Sequence, residues 1–377
     1  PMPSDPSEPN RVELDPAESI SSIGDAEESA PPERREQQRV DDSDVQSAIN
    51  ELIDRVGGEA GAFDGRLMRE MVTASLKLVP DGRATGELKL MTAAVKELRY
   101  AYRVFGQYPE PHKCTIFGSA RTPEDHPDYL ITVEFSRMMK EAGWMIITGA
   151  GDGIMKAGHE GPGRDSSFGV AIRLPFETTA NDVIDGDKKL IHFRYFFTRT
   201  LMFLSQSEAV VLCPGGFGTM DEAYETLTLV QTGKASMIPI VLLEGESGYW
   251  DAFQDFCENV LLKRGLISPE DLSLYYFAKT PEDARDHVLH FYRNYHSSRY
   301  VRDDLVIRLK QRLKNEDVER LSEKYAVLIK AGTMHQRAAY DVETDHLDLP
   351  RLCFTHTRRA FGLVRQLIQD INDCDPA

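Results

Sequence analysis

The chain has 377 residues, of which 41% are hydrophobic and 28% are charged, and this composition fits a globular protein with a large core. No apolar run reaches the length of a membrane span, no signal peptide opens the sequence, and no basic stripe with interleaved aromatic residues suggests a nucleic-acid partner. The five cysteines are scattered without metal-ligand spacing, which argues against a disulfide framework or a metal site. We therefore expect a cytoplasmic protein without a membrane, nucleic-acid or metal partner.

The first part of the sequence is strongly acidic. Residues 1–45 carry thirteen acidic residues and four arginines, a net charge of −9 out of −17 for the whole chain. The same stretch holds seven of the twenty prolines and no aromatic residue. Such a segment buries too little apolar surface to offset the entropy cost of ordering, so we expect residues 1–44 to form a disordered acidic tail.

A helical extension follows the acidic tail. Apolar residues recur at intervals of three and four in the segments 45–56, 65–79 and 84–105, which is typical of amphipathic helices. We assign residues 45–110 to this extension.

Between residues 111 and 295 the pattern changes to short apolar runs that alternate with amphipathic segments. The predicted strands are 113–118, 144–148, 167–174, 208–213, 236–244 and 274–278. The predicted helices are 127–143, a helix opened by the turn 149–161, 199–206, 219–231, 249–262 and 281–295, with a mixed stretch before residue 199. This alternation predicts an α/β fold, a Rossmann-like doubly wound parallel sheet.

The remaining residues, 296–377, are predicted to be a small helical appendage, with room for one hairpin. Their function is not evident from the sequence.

Three glycine turns lie at the carboxyl ends of predicted strands, at Gly118, at 149–153 and at 215–218, and in a parallel sheet these ends share one edge. The turn "PGGFGT" leads into a predicted helix, so its backbone N–H groups and the helix dipole favour an anion such as phosphate. Thr219 adds a hydroxyl donor to this turn. The competing interpretation is a tight structural turn without a ligand.

The turn "GAGDGIM" (149–155) resembles the start of a dinucleotide fingerprint, but it lacks a third glycine in register and a suitably spaced acid. It is better interpreted as a second anion-binding turn or as a place where the backbone approaches a ligand closely.

Two charged residues are candidates for chemistry. Glu222 falls in the first turn of the predicted helix 219–231, where it could hold ribose hydroxyls or stabilise positive charge on a sugar. Alternatively it complements the helix dipole, as Asp221 and Glu225 could also do. Arg199 lies upstream in "YFFTRTLMF" and could grip a phosphate, position an acidic partner, or be an ordinary surface arginine.

These residues match a known family. The segment "PGGFGTMDE" (214–222) resembles the P-G-G-x-G-T-x-x-E signature of the LONELY GUY (LOG) phosphoribohydrolases. The blocks "IFGSAR" (116–121), "TGAGDGIM" (148–155) and "QTGK" (231–234) resemble other recurrent blocks of that family in order and spacing. The resemblance covers roughly residues 112–295.

The resemblance implies that the protein hydrolyses the N-glycosidic bond of nucleoside 5′-monophosphates, AMP-like or cytokinin nucleotides, to a free base and ribose 5-phosphate. It implies a homodimer, no cofactor, and catalysis by Arg199 and Glu222. The substrate-binding residues that it implies are Ser119, Gly149, Gly151, Gly153, Met155, Gly215, Gly216, Gly218 and Thr219.

The sequence departs from the family pattern at three positions. Thr200 stands where the family usually has a lysine, and Ala150 and Asp152 replace a glycine and a proline of the second glycine turn. These changes bear on substrate identity more than on catalysis.

Two other functions compete with hydrolysis. A non-catalytic nucleotide-binding or carrier module would use the same fold. A lysine decarboxylase, a label that has been attached to the family, would need a lysine that forms a Schiff base with pyridoxal phosphate, and the sequence offers none in a recognisable setting.

Overall fold

The computed structural model of the chain describes residues 40–173, 180–246, 248–375 and 377. The described residues divide into two compact units, with the boundary between Val95 and Lys96. Most of the predicted acidic tail, residues 1–39, lies outside the described residues, so its disorder stays a prediction.

The described part of the first unit is helical. It contains α1 (Ser43–Arg55), α2 (Phe63–Lys77) and the beginning of α3 (Thr85–Phe105), which continues into the second unit. Ile49 and Ile53 of α1 are the centre of a small apolar cluster in this unit. All three helices agree with the sequence-based prediction to within two residues at each end.

The second unit is built around a seven-stranded parallel sheet in the order β4-β3-β2-β1-β5-β6-β7. Its strands are β1 (Lys113–Phe117), β2 (Met145–Thr148), β3 (Ser167–Ile172), β4 (Leu190–Phe193), β5 (Ala209–Leu212), β6 (Ile240–Leu243) and β7 (Tyr276–Ala278). The helices of this region are α4 (Pro127–Glu141), α5 (Ile154–Glu160), α6 (Phe196–Ser205), α7 (Phe217–Gln231), α8 (Tyr249–Phe256) and α9 (Pro281–Phe291). The predicted Rossmann-like α/β fold is thereby confirmed.

The strand order reverses between β1 and β5. β1 pairs with β2 on one side and with β5 on the other, so the chain runs outward from this point in both directions. Ligands of doubly wound sheets bind in the crevice at the carboxyl ends of the strands at such a reversal. The N–H of Cys213 donates to the carbonyl of Phe117 (2.8 Å), and the N–H of Ser119 donates to that of Pro214 (3.0 Å). These bonds hold the turns after β1 and β5 side by side.

Three elements differ from the sequence-based prediction. The mixed stretch before residue 199 contains the edge strand β4, in which the buried Ile191 and Phe193 alternate with the less buried Leu190 and His192, so it lacks the continuous apolar run of a central strand. Helix α6 begins at Phe196, and α7 begins at Phe217 with Gly216 as its N-cap, both earlier than expected. The earlier start of α7 moves Glu222 out of the first helical turn.

The region after residue 295 is not simply the predicted helical appendage. The predicted terminal helix exists as α11 (Phe361–Asp373), and α10 (Asn315–Lys324) is a second helix. However, four strands form an antiparallel sheet in the order β10-β11-β9-β8. They are β8 (Tyr295–Val301), β9 (Asp304–Leu309), β10 (Ile329–Arg337) and β11 (Arg351–His356). β8 and β10 carry so many polar and half-exposed residues that their alternation is weak in the sequence.

Helix α11 joins this second sheet to the first. Asn372 is fully buried, and its side-chain oxygen accepts hydrogen bonds from the N–H groups of Asn294 (2.8 Å) and Tyr295 (2.9 Å) at the start of β8. Leu367 and Ile371 of α11 are buried in the same apolar core as the parallel sheet. Among the described residues, no helix combines the length and apolarity that crossing a bilayer requires.

Candidate active site

A cavity of about 1200 Å³ opens over the carboxyl ends of β1 and β5, where the strand order reverses. The turns after β1, β2 and β5, the ends of β3 and β4, and helix α6 contribute residues to its wall. Eleven site residues were predicted from the sequence, and ten of them contribute to the wall of this cavity. They are Ser119, Gly149, Gly151, Met155, Arg199, Gly215, Gly216, Gly218, Thr219 and Glu222.

The turn between β5 and α7 presents free backbone donors to the cavity. Within the described part of the chain, the N–H groups of Gly216, Phe217 and Gly218 donate to no other group. Helix α7 has fifteen residues, so its dipole places about half a positive charge at this end. The arrangement suits a phosphate or another anion.

The three glycines of this turn are required for different reasons. A Cβ atom on Gly215 would lie 2.1 Å from Oγ1 of Thr219, so this glycine is needed by the packing of the protein itself. A Cβ atom on Gly216 or Gly218 would meet nothing within 4 Å, and neither residue has a positive φ. Since the chain gives no steric reason for these two glycines, the space above them is available to a bound molecule.

The turn after β2 forms the adjoining wall of the cavity. Ala150 adopts a left-handed conformation with φ 65°, and Met155 packs against Gly149 and Gly151, with its sulfur or terminal carbon 2.6 Å from the position of an added Cβ. The side-chain amide of Asn181 donates to the carbonyl of Gly151 (2.9 Å) and steadies the turn.

Gly153 is not among the residues that line the cavity, so its contact with substrate stays a prediction. It has φ 60°, and an added Cβ would lie 2.3 Å from the carbonyl oxygen of Ser119. The next residue, Ile154, donates its N–H to that same oxygen (3.0 Å). Gly153 therefore permits close packing of the turn after β2 against the turn after β1.

Arg199 on α6 and Glu222 on α7 form an ion pair in the cavity wall. The Nη2 atom of Arg199 lies 3.2 Å from Oε1 of Glu222, and the hydroxyl of Thr200 donates to the same oxygen at 3.1 Å. Glu222 is only 2% exposed. Its second oxygen, Oε2, is buried and has no hydrogen-bond partner among the described residues.

The surroundings of this pair are apolar on the arginine side. The guanidinium carbon lies 4.8 Å from the ring centre of Phe196 and 5.5 Å from that of Phe203, both within range of a cation–π contact. The Nε atom of Arg199 is buried without a partner among the described residues. The guanidinium is thus fixed in position by two rings and by Glu222.

Burial controls the charge state of the pair. Burial raises the pKa of the Glu222 carboxyl, and the charge of Arg199 and the hydrogen bond from Thr200 partly offset this rise. Burial lowers the pKa of Arg199, and Glu222 opposes the shift. Arginine nonetheless remains protonated in proteins, so Arg199 is the fixed positive charge beside a carboxylate that is costly to ionise.

The helix-dipole explanation of Glu222 does not fit its position. The first turn of α7 contains no acidic residue, because the helix begins at Phe217. Asp221 and Glu225, which flank Glu222, are exposed and point away from the core. A carboxylate that only complemented the dipole would be equally stable at the surface, so burial of Glu222 needs another explanation.

Several residues of the site were not identified from the sequence. Thr200 was noted only as a departure from the family pattern, yet its hydroxyl contacts Glu222. Phe196 and Phe203 bracket Arg199 at positions −3 and +4, a helical spacing that could have identified them. Arg121, Arg173 and His192 also line the cavity, and isolated basic residues gave no sequence signal. Among the described residues, no three His, Cys, Asp or Glu side chains are grouped to hold a metal ion.

Replacing Gly218 or Gly215 by alanine adds a methyl group to the turn after β5, and the two substitutions should differ in their effect on the stability of the protein. Gly218→Ala should leave the stability unchanged or raise it by up to ~1 kcal/mol, because alanine favours a helix. It should nevertheless weaken binding of inorganic phosphate, because the methyl group occupies the space for an anion. Gly215→Ala, the matched comparison, should destabilise the fold by about 1–3 kcal/mol through the clash with Thr219. Thermal unfolding and phosphate titration calorimetry measure both, and unchanged phosphate binding by Gly218→Ala would contradict this assignment.

Comparison with known proteins gives one family match. The model of a family described as "Possible lysine decarboxylase" matches residues 149–288, which is less than half of the chain and includes Arg199 and Glu222. No curated protein matches the chain.

Solved structures similar to the chain cover about half of it. The molybdenum cofactor carrier protein from Chlamydomonas reinhardtii is 21% identical with a TM-score of 0.34, over 48% of this chain and 97% of its own. The molybdenum cofactor binding protein from Rippkaea orientalis is 19% identical with a TM-score of 0.33, over 48% and 97%. DNA processing protein A from Helicobacter pylori is 14% identical with a TM-score of 0.35, over 50% and 83%.

Proposed function

We propose that the protein hydrolyses the N-glycosidic bond of nucleoside 5′-monophosphates and releases a free base and ribose 5-phosphate. The observation that supports this best is the buried Glu222 carboxylate, which has one oxygen held by Arg199 and Thr200 and the other without a partner. Buried polar atoms are nearly always satisfied, so an unsatisfied carboxylate oxygen in a cavity wall is a strong candidate for a group that acts on a ligand.

The phosphate of the substrate would bind at the N-terminus of α7. The free N–H groups of residues 216–218 supply donors there, and Gly216 and Gly218 leave room for the phosphate oxygens. This contact fixes the ribose close to Glu222, which lies four residues after Gly218 on the same helix. Binding energy from the phosphate is thereby used to position the sugar.

Glu222 would act on the anomeric carbon. When the C1′–N bond breaks, its electron pair leaves with the base, and the sugar develops positive charge at C1′ and the ring oxygen. A carboxylate beside this position stabilises that charge, and it can also accept hydrogen bonding from the attacking water. The water oxygen then bonds to C1′, and the proton released from the water balances the charge on the departing base.

Arg199 would act mainly by positioning Glu222. Its guanidinium is held between Phe196 and Phe203, so it fixes the carboxylate in one orientation. Its charge also limits the rise in the pKa of Glu222 that burial causes, and keeps more of the carboxylate ionised at neutral pH.

Neither alternative function accounts as well for these features. Decarboxylation through pyridoxal phosphate needs a lysine at the site, and no lysine is among the described residues that line the cavity. A carrier module would need the phosphate turn, but it would have no use for a buried carboxylate with an unpartnered oxygen.

A panel of nucleotides and nucleosides tests the proposal. We expect release of free base from nucleoside 5′-monophosphates, and we expect adenosine to be cleaved far more slowly than AMP because it lacks the phosphate that anchors the ribose. Chromatography of the free base measures both rates. Comparable turnover of AMP and adenosine would contradict the role of the glycine turn, and tight nucleotide binding without release of any base would favour the carrier module.

Glu222→Gln keeps the size of the side chain and removes its charge. We expect kcat to fall at least a hundredfold, about 2.7 kcal/mol, because the carboxylate no longer stabilises the cationic sugar. Affinity for AMP should change little or improve, since a negative charge near the phosphate is lost.

Asp221→Asn is the matched control, because it removes the same charge from the neighbouring, exposed residue of the same helix. It should leave kcat within a few-fold of that of the unmodified protein. Circular dichroism and thermal unfolding must show that both variants are folded. Near-normal kcat in folded Glu222→Gln would refute the mechanism.

We also propose that the protein is a homodimer, with the surface near the cavity as the contact. Phe196, Phe197 and Leu201 on α6 and Phe217 at the start of α7 are between 47% and 96% exposed, which is unusual for large apolar side chains. Light scattering should give twice the mass of one chain, about 85 kDa from a chain mass of 42.5 kDa. A fully active monomer would count against the dimer.

A further inference from the structure

The cavity has a second basic region, away from the glycine turn. Arg173 follows the last residue of β3, and His192 lies in β4. His192 is paired with Ala171 in the register of the two strands, and Arg173 follows Ala171 by two residues. Because alternate residues of a strand face the same side of a sheet, Ala171, Arg173 and His192 share one face, and all three line the cavity.

The strand order places this region at the far end of the cavity from the phosphate-binding turn. The strands β5, β1, β2 and β3 are successive neighbours. With about 4.8 Å between adjacent strands, the end of β3 lies roughly 14 Å from the end of β5. Consider a nucleotide that binds its phosphate at α7 and extends along the carboxyl ends of the strands. Its base then lies near the end of β3.

At this end of the cavity Arg173 offers only hydrogen-bond donors, and none of the described residues that line it there is a carboxylate. The Arg173 guanidinium has no hydrogen bond or ion pair with any described residue, and arginine can only donate. Glu222 is the one carboxylate among the described residues that line the cavity, and Arg199 and Thr200 already engage it. Partial burial and the charge of Arg173 lower the pKa of His192, and the charge of Asp185 partly opposes this shift. The neutral ring that the lowered pKa favours offers one donor nitrogen and one acceptor nitrogen.

Donors at this position discriminate between purines. Guanine and hypoxanthine present two acceptors, O6 and N7, on one edge, and an arginine fork binds both at once. Adenine presents a donor, its N6 amino group, where the other two bases present O6. Opposite Arg173, the adenine amino group would face a second donor.

We propose that Arg173 makes this cavity selective for nucleotides with a 6-oxopurine base, GMP and IMP, over AMP. The proposal rests on the proposed function for the placement of the phosphate, and it adds the class of base. Arg173 also assists the departure of the base: the electron pair of the C1′–N9 bond passes into the purine ring, where part of the charge is carried by O6 beside the guanidinium. The proton that water loses on bonding to C1′ ends on the base.

The test measures binding and turnover separately. In a Glu222→Gln background, which slows hydrolysis, calorimetry should show GMP binding more tightly than AMP by a factor between about five and 150. Adding Arg173→Gln should weaken GMP binding and bring the ratio of the two affinities close to one. In the otherwise unmodified protein, kcat/KM should favour GMP over AMP, and Arg173→Gln should remove that preference.

Arg121 provides the matched control. It also lines the cavity, but it belongs to the turn after β1, which lies beside the phosphate-binding turn. Arg121→Gln should weaken GMP and AMP binding by the same factor and leave their ratio unchanged. If Arg173→Gln does not fold, Arg173→Lys keeps the charge but loses the fork, and it should reduce the ratio while leaving AMP affinity unaltered.

The outcomes separate the two proposals. Equal affinity for GMP and AMP, or a ratio that Arg173→Gln and Arg173→Lys leave unchanged, overturns the selectivity. The ratio of GMP affinity to AMP affinity could depend on Arg173 while the protein releases no base from any nucleotide. That result would support the selectivity and overturn the proposed hydrolysis. Failure to bind either nucleotide at millimolar concentration overturns both.

Discussion

The burial of the Glu222 carboxylate is the constraint on which the neighbouring structure of the cavity depends. A buried carboxylate must be neutralised, paired or hydrogen-bonded. Here Arg199 and Thr200, consecutive residues of α6, supply a charge and a hydroxyl to one oxygen. Helices α6 and α7 must therefore keep a fixed distance, and the aromatic rings of Phe196 and Phe203 prevent the guanidinium from moving elsewhere.

The parallel sheet makes this arrangement possible. Turns that are about a hundred residues apart in the chain meet because β1 and β5 are neighbours, and hydrogen bonds between Ser119 and Pro214 and between Cys213 and Phe117 hold them in register. Gly153 and Gly215 allow the turns to approach closely, whereas Gly216 and Gly218 leave open space. At this edge of the sheet, glycine is needed where the backbone of two turns packs closely, and it also keeps the space of the cavity free of side chains.

This fold does not specify a single function. Doubly wound sheets serve as enzymes and as binding proteins, so a functional argument has to come from the side chains of the site. In this chain the glycine turn after β5 would fit either class, and the pair Arg199–Glu222 is the feature on which our proposal of catalysis rests. The second basic region at Arg173 and His192 carries a separate proposal, the class of base, because it lies at the other end of the cavity.

Much of the architecture could be predicted from the sequence, because short apolar runs, helical periodicity and glycine turns are local signals. They identified six of the seven parallel strands, the edge of the sheet that bears the cavity and, through the motif "PGGFGTMDE", one part of its wall. The edge strand β4 escaped notice because it has only four residues, one of them an exposed histidine, and β8 and β10 escaped notice because their many polar, half-exposed residues weaken the alternation. Only the tertiary structure decided that Glu222 is buried with one oxygen free, that Gly153 serves packing, and that Arg173 and His192 share the cavity. These facts depend on contacts between residues distant in the chain, which no local pattern encodes.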